Sequence, residues 1–156
     1  MNWVPVKNHA SALLQEFHLV QNNNDKMVLK YNPHQRSARF TSDGKHYALF
    51  YFETAGTVGS KILIQDQYGM LRGNIVTDKS HGNGHVELEG KKYNYQLKSG
   101  YNSPSIVIYE RTADRPWLTC DLDLRTEDTL HASFIVGLCW HIFLQQEKDM
   151  LVDFAA

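Results

Sequence analysis

The sequence predicts a mostly β domain, a closed antiparallel barrel with one apolar helix threaded through it near the C-terminus. Three observations lead there. From about Met27 to Arg125, short apolar–polar alternations are separated by turn signals, the pattern of many short strands. After Arg125 the period becomes helical. That helical segment is apolar on every side of its wheel and must be surrounded, and strands that surround a helix make a closed barrel. The 156 residues, 42% of them apolar, suit a single domain over 1–156. A chain of this length buries roughly two-thirds of its unfolded surface.

The N-terminal Ala12–Val20 fits two periods. Leu13, Leu14, Phe17 and Val20 form a helical stripe, while Phe17-His18-Leu19-Val20 fits a strand entering the Asn22-Asn23-Asn24-Asp25 turn. The segment from His18 on is taken as strand. Met27–Tyr31 is a strand closed by Asn32-Pro33, and Ala38–Thr41 alternates up to an Asp43-Gly44 turn. Tyr47–Phe52 is apolar on both faces, as in a strand covered on two sides. Lys61–Gln65 runs into Asp66-Gln67-Tyr68-Gly69, a type I turn with Gly69 in the left-handed position, and Leu71–Thr77 returns antiparallel. Ser80–Gly84 is a loop on composition. The clearest hairpin follows: Val86 and Leu88, a turn at Gly90-Lys91, then Tyr93, Tyr95 and Leu97, with every apolar side chain on one face. After a Gly100–Pro104 loop come Ile106–Tyr109 and then Leu118, Cys120, Leu122 and Leu124, which alternate with polar residues. The periodicity thus counts nine or ten strands. The helix starts at a Thr126 or Asp128 cap and runs to about Asp149. Phe134, Ile135, Val136, Leu138, Cys139, Trp140, Ile142, Phe143 and Leu144 occupy all its sides. Gly137 in its interior costs about 1 kcal/mol relative to Ala, which a close backbone approach would explain.

Charge and targeting signals narrow the function classes. Sixteen Lys and Arg against seventeen Asp and Glu give a net charge of −1, which excludes a dedicated electrostatic nucleic-acid binder. Two cysteines, Cys120 and Cys139, are too few for a disulfide framework, and no secretory signal precedes them, so a cytoplasmic location is expected. The Ala132–Leu144 apolar stretch is shorter than the roughly 20 residues of a membrane span. The oligomeric state has no signature.

The order of parts resembles the tubby-like superfamily, which includes the plant LURP-one-related proteins and the phospholipid scramblases. Asp128–Glu147 looks like the central helix of that group, and Lys61–Leu71 like its strand, Asp-x-x-Gly turn, strand unit. The resemblance implies a barrel of ten to twelve strands around the helix. It also implies a non-enzymatic binding or scaffold module acting at an anionic phospholipid surface or on a protein partner.

Among candidate sites, the expected anion-binding group is Lys91, Lys92 and Lys98, with Lys91-Lys92 at a hairpin tip. The bland alternative is that these are ordinary exposed-strand lysines that discourage edge pairing. His81 and His85 flank Gly82-Asn83-Gly84 at a spacing seen in metal loops, but zinc needs a third or fourth ligand and a polar turn is the better reading. His131 and His141 stand about 15 Å apart along the helix and cannot share a metal. Cys120 and Cys139 fall on apolar faces, where burial makes thiols inert. Asp121 and Asp123 share one strand face and are read as solvated. No Gly-x-Ser-x-Gly elbow or nucleotide-binding glycine pattern is present. The expectation is therefore no catalytic residue, no metal and no cofactor. The rival reading is a lipocalin-like carrier, with the helix outside and an apolar ligand within the barrel. An external helix needs a polar face, and Phe134–Leu144 offers only His141.

Overall fold

The computed structural model describes residues 2–6, 14–42, 46–56, 61–78, 80–99, 104–110, 116, 118–122 and 135–139. Eleven strands form one closed barrel in simple chain order. They are β1 (Asn2–Val6), β2 (Gln15–Gln21), β3 (Asn24–Asn32), β4 (Ser37–Ser42), β5 (His46–Ala55), β6 (Lys61–Asp66), β7 (Leu71–Asp78), β8 (Asn83–Leu88), β9 (Lys91–Lys98), β10 (Ser105–Glu110) and β11 (Leu118–Leu122). A short helix, α1, covers residues 135–139.

Each strand pairs antiparallel with the next. The closing pair departs from the expected all-antiparallel barrel: β1 and β11 run parallel, with Asn2 opposite Asp121 and Trp3 opposite Leu122. Parity requires this. In an up-and-down meander with an odd number of strands, the first and last strands point the same way. β1 itself carries no turn or alternation signal, and the sequence reading assigned it no element. Pro5 lies beyond the paired part of the β1–β11 seam, where strands tolerate proline.

The turns place two rims. One rim carries the β2–β3, β6–β7 and β8–β9 turns and is called the upper rim here. The β2–β3 turn is Asn22-Asn23, both residues in the left-handed region. The β8–β9 turn is Glu89-Gly90, one residue earlier than the expected Gly90-Lys91. Both of its residues have positive φ, as a two-residue hairpin of this twist needs, and Lys91 is thereby released into β9. The Asp66–Gly69 turn forms as expected, with Gly69 at φ 76° and its N–H donating to the Asp66 carbonyl at 3.0 Å. The Asp43-Gly44 turn lies outside the described residues. The lower rim carries the Pro33–Arg36 and Ser80–Gly82 turns.

Inward positions from the strands make one core: Trp3, Leu19, Leu29, Phe40, Ile64, Ile75, Val86, Tyr95 and Ile106 are among the residues it closes over. The expectation that Tyr47–Phe52 is covered on both faces is corrected. Phe50 and Phe52 point into the core, but Tyr51 is exposed and Leu49 half-buried, so β5 has one dry face. Its aromatic content reflects β propensity, not two-sided burial.

Eight strands already enclose a space that side chains can fill, so eleven leave room for more. That room holds α1. Ile135, Val136, Leu138 and Cys139 are at most 1% exposed, and Gly137 is buried between them. Five successive helical residues cover all sides of a turn, so α1 has neighbours all round. A Cβ on Gly137 would stand 2.6 Å from Phe40 Cε1 on β4 and 3.3 Å from Trp3 Cζ2 on β1. The glycine is what lets the helix lie against both rings. The remainder of the expected 126–149 helix, with its caps and both histidines, lies outside the described residues.

Candidate functional site

With the interior occupied, the accessible chemistry lies on the outer wall and rims. The three lysines expected to form an anion site all fall on β9 but do not converge. Lys91 and Lys92 are adjacent and point to opposite faces. Lys98 shares the outer face with Lys92 but lies six residues on, roughly 20 Å along the strand and at the lower rim. Lys91 and Lys92 stand at the upper rim, one hairpin from the β6–β7 turn.

That turn is the most exposed apolar feature among the described residues. Tyr68 is 80% exposed, Met70 63% and Leu71 61%. The loop presenting them is held by one carboxylate. Asp66 Oδ1 accepts the Tyr68 N–H at 2.9 Å and the Met70 N–H at 3.0 Å. Its Oδ2 accepts Arg72 Nε and Nη2, each at 2.8 Å. The Asp66 N–H donates to the Met70 carbonyl at 3.0 Å. Partial burial raises the Asp66 pKa, but the Met70 and Tyr68 amides and the Arg72 guanidinium outweigh it and hold the carboxyl below its ordinary value. Arg72 also reaches Glu89 at 3.6 Å, and the Glu89 N–H donates to the Arg72 carbonyl at 3.1 Å. The β6–β7 and β8–β9 hairpins are thus bolted together, with Lys91 and Lys92 following the second of them on β9. A cavity of about 390 Å³ opens below Tyr68, with Leu49, Phe50, Arg72 and Glu89 in its walls. The sequence reading missed this tip. Its trace there is Tyr68-Gly-Met-Leu71, an apolar run at a turn, where polar residues are the rule.

A second concavity, about 510 Å³, lies on the outer wall of β7–β10. Register aligns two ranks of side chains across it. Val76, His85, Asn94 and Tyr109 are successive partners, and so are Asp78, Asn83, Gln96 and Val107. Burial lowers the His85 pKa, and Lys92 and Lys61 lower it further against an opposing effect of Glu87.

At the lower rim Asp78, Ser80 and His81 form a compact group. Asp78 Oδ1 accepts the Ser80 N–H at 3.0 Å and the Ser80 hydroxyl lies 2.6 Å away. His81 Nδ1 is 2.8 Å from both Asp78 Oδ2 and Ser80 Oγ. The Ser80 and His81 contacts hold the Asp78 carboxyl at about 2. The residue types are those of a hydrolase triad, but the connectivity is not. A relay needs the carboxylate on one ring nitrogen and the serine on the other. Here both meet Nδ1. Among the described residues, no three His, Cys, Asp or Glu side chains gather as a metal site requires. Burial pushes the Cys120 thiol up to about 12 and the Cys139 thiol higher still. Asp121 is exposed on β11, while Asp123 lies outside the described residues.

No helix among the described residues is long and apolar enough to cross a membrane. No protein-family model, curated protein or solved structure matches the chain.

Proposed function

We propose that this chain is a non-enzymatic binding module that docks on anionic lipid surfaces through its upper rim. The observation that carries the reading is the exposed Tyr68, Met70 and Leu71 on a turn pinned by Asp66. Exposed apolar runs destabilise nothing in a membrane interface, and tyrosine suits the boundary between headgroup and hydrocarbon. Lys91 and Lys92 at the neighbouring hairpin supply the second signal, since stable anchoring takes an apolar insertion plus basic charge. Each lysine near an anionic surface contributes about 1 kcal/mol. The tubby-like kinship is part of the same proposal, supported by the helix inside the barrel and by the Asp66–Gly69 turn. The seat of Gly137 against Phe40 and Trp3 favours this reading over a hollow carrier.

Vesicle flotation tests it. The protein is expected to float with phosphatidylcholine vesicles containing phosphatidylserine and not with phosphatidylcholine alone. Tyr68→Ser with Met70→Ser and Leu71→Ser should abolish flotation. Lys91→Glu with Lys92→Glu should weaken it by roughly 30-fold or more, whereas Lys98→Glu should leave it intact. Undiminished flotation of either multiple variant sinks the proposal. Loss of the tip with capture of a protein instead of vesicles would transfer the rim to a protein partner.

A further inference from the structure

One of the three side chains at the β6–β7 tip is redox-active. Met70 carries a thioether sulfur, whereas Leu71 beside it offers no reactive atom. Met70 is 63% exposed, while Met27 on β3 is closed into the core. A hydroperoxide reaches a thioether only where solvent does, so the two methionines differ in access. The usual competitors for peroxide are thiolates, and both thiols are out of reach. Cys120 and Cys139 are buried in the barrel, where burial keeps them protonated. Among the described residues, Met70 is thus the sulfur that peroxide meets first.

The turn separates what oxidation changes from what it leaves alone. Met70 belongs to the frame of the loop through its main chain. Its N–H donates to Asp66 Oδ1 and its carbonyl accepts the Asp66 N–H, each at 3.0 Å. Neither bond uses the sulfur. An oxygen added there is solvated in water and leaves the turn and the barrel as they were. At a lipid surface the same oxygen acts differently. A sulfoxide is a polar group, and taking it out of water without a partner is unfavourable. The tip then keeps Tyr68 and Leu71 but loses the apolar side chain between them.

The chemistry balances with a hydroperoxide as oxidant. A sulfur lone pair attacks one peroxide oxygen, the O–O bond breaks and an S–O bond forms. The departing oxygen takes the proton from the hydroxyl on sulfur and, for hydrogen peroxide, leaves as water. The sulfur loses two electrons and the peroxide gains them. Two thiols of a sulfoxide reductase system supply the electrons for the return, becoming a disulfide and releasing the oxygen as water.

We propose that Met70 is a reversible oxidation site, at which a dissolved hydroperoxide converts the thioether to the sulfoxide and detaches the upper rim from an anionic lipid surface. The inference rests on the lipid-docking reading of the same tip.

The test treats the full chain with hydrogen peroxide at pH 7 and follows it by peptide mass mapping and by flotation with phosphatidylcholine–phosphatidylserine vesicles. Met70 is expected to gain one oxygen at least about tenfold faster than Met27, which is reached only through opening of the barrel. The oxidised protein should bind the vesicles at least about tenfold more weakly than the untreated protein. Its urea midpoint should not move. Methionine sulfoxide reductases for both epimers, with dithiothreitol, should restore flotation. Met70→Leu should float before and after peroxide, which assigns the loss to this one sulfur, and Met70→Gln should float poorly without any peroxide.

Flotation that survives oxidation of Met70 overturns the proposal and leaves the lipid reading standing. Equal oxidation rates at Met70 and Met27 overturn it, as does loss of flotation in peroxide-treated Met70→Leu or a loss that the reductases do not reverse. Absence of flotation before any peroxide is added overturns the lipid reading, and this proposal with it.

Discussion

His18 on β2 shows how much a single outward side chain can carry. Its ring lies 2.9 Å from Glu16 Oε1 and 2.8 Å from Asp25 Oδ2. Burial lowers its pKa, but the two carboxylates outweigh that and leave it raised above 6.5. The hydrogen bond to His18 in turn lowers Glu16. A raised histidine contributes stability that is complete below its unfolded pKa and is lost as pH rises through the folded value. The protein should therefore lose a little stability from pH 6 to 8, under about 1 kcal/mol because the pair is solvent-screened. His18→Gln should flatten that slope in urea melts, and an unchanged slope would contradict the assignment. Gly137 is the opposite case, a residue whose value is an absent side chain. Alanine there gains about 1 kcal/mol of helix propensity. Its Cβ, however, meets Phe40 and Trp3, both buried and unable to retreat, and such overpacking costs about 1–3 kcal/mol. Gly137→Ala is expected to lower the Tm, and Phe40→Leu in the same chain to recover part of the loss, a coupling that distant sites would not show.

Among the elements, the β6–β7 hairpin joins what was legible to what was not. The Asp-x-x-Gly spacing announced both the turn and its left-handed glycine, because a local backbone conformation depends on local residue types. It did not announce that the Asp66 side chain holds two loop amides and Arg72 together. Asp66→Asn keeps the size but loses the charge that draws Arg72. Amide exchange at Tyr68 and Met70 should then quicken and the hairpin tip loosen, with the remaining strands unaffected. Equal exchange in both proteins would mean that the turn stands without the carboxylate's charge. The three lysines illustrate the other limit. Alternation correctly placed Lys92 and Lys98 on the outer face, yet alternation does not measure distance, and the pair spans the length of β9. The Glu89-Gly90 turn moved Lys91 into the strand, a one-residue shift that single-sequence patterns seldom resolve.

For the whole molecule, the decisive quantities are the strand number and what fills the barrel. An odd count makes the closing pair parallel, and the eleven-stranded wall leaves room that α1 occupies. A filled interior makes a direct prediction about the thiols. Cys120 faces inward from β11 and Cys139 sits on α1, both fully buried. Small thiol reagents such as methyl methanethiosulfonate should leave both unmodified in the native protein at pH 8 and modify both in denaturant. Their native-state rate should track global unfolding. Fast labelling of Cys139 alone would mean that the barrel admits small molecules, and the carrier reading would regain ground.

The residue order by itself determined the class of fold, because period two and period 3.6 are properties of neighbouring residues that survive in one dimension. It determined the hairpin order, most turns and, over residues 135–139, the all-round burial of the late helix for the same reason. Only the tertiary structure decided that Asn2–Val6 closes the barrel, since a five-residue segment with a proline acquires its identity from the strands on either side. Only register across β7, β8, β9 and β10 could set Asn83, Asn94, Gln96 and Tyr109 side by side, and only the pinning of one turn could hold Tyr68, Met70 and Leu71 in water. Both surfaces join residues from separate hairpins or depend on a side chain closing its own loop, and such proximity is written in no local pattern.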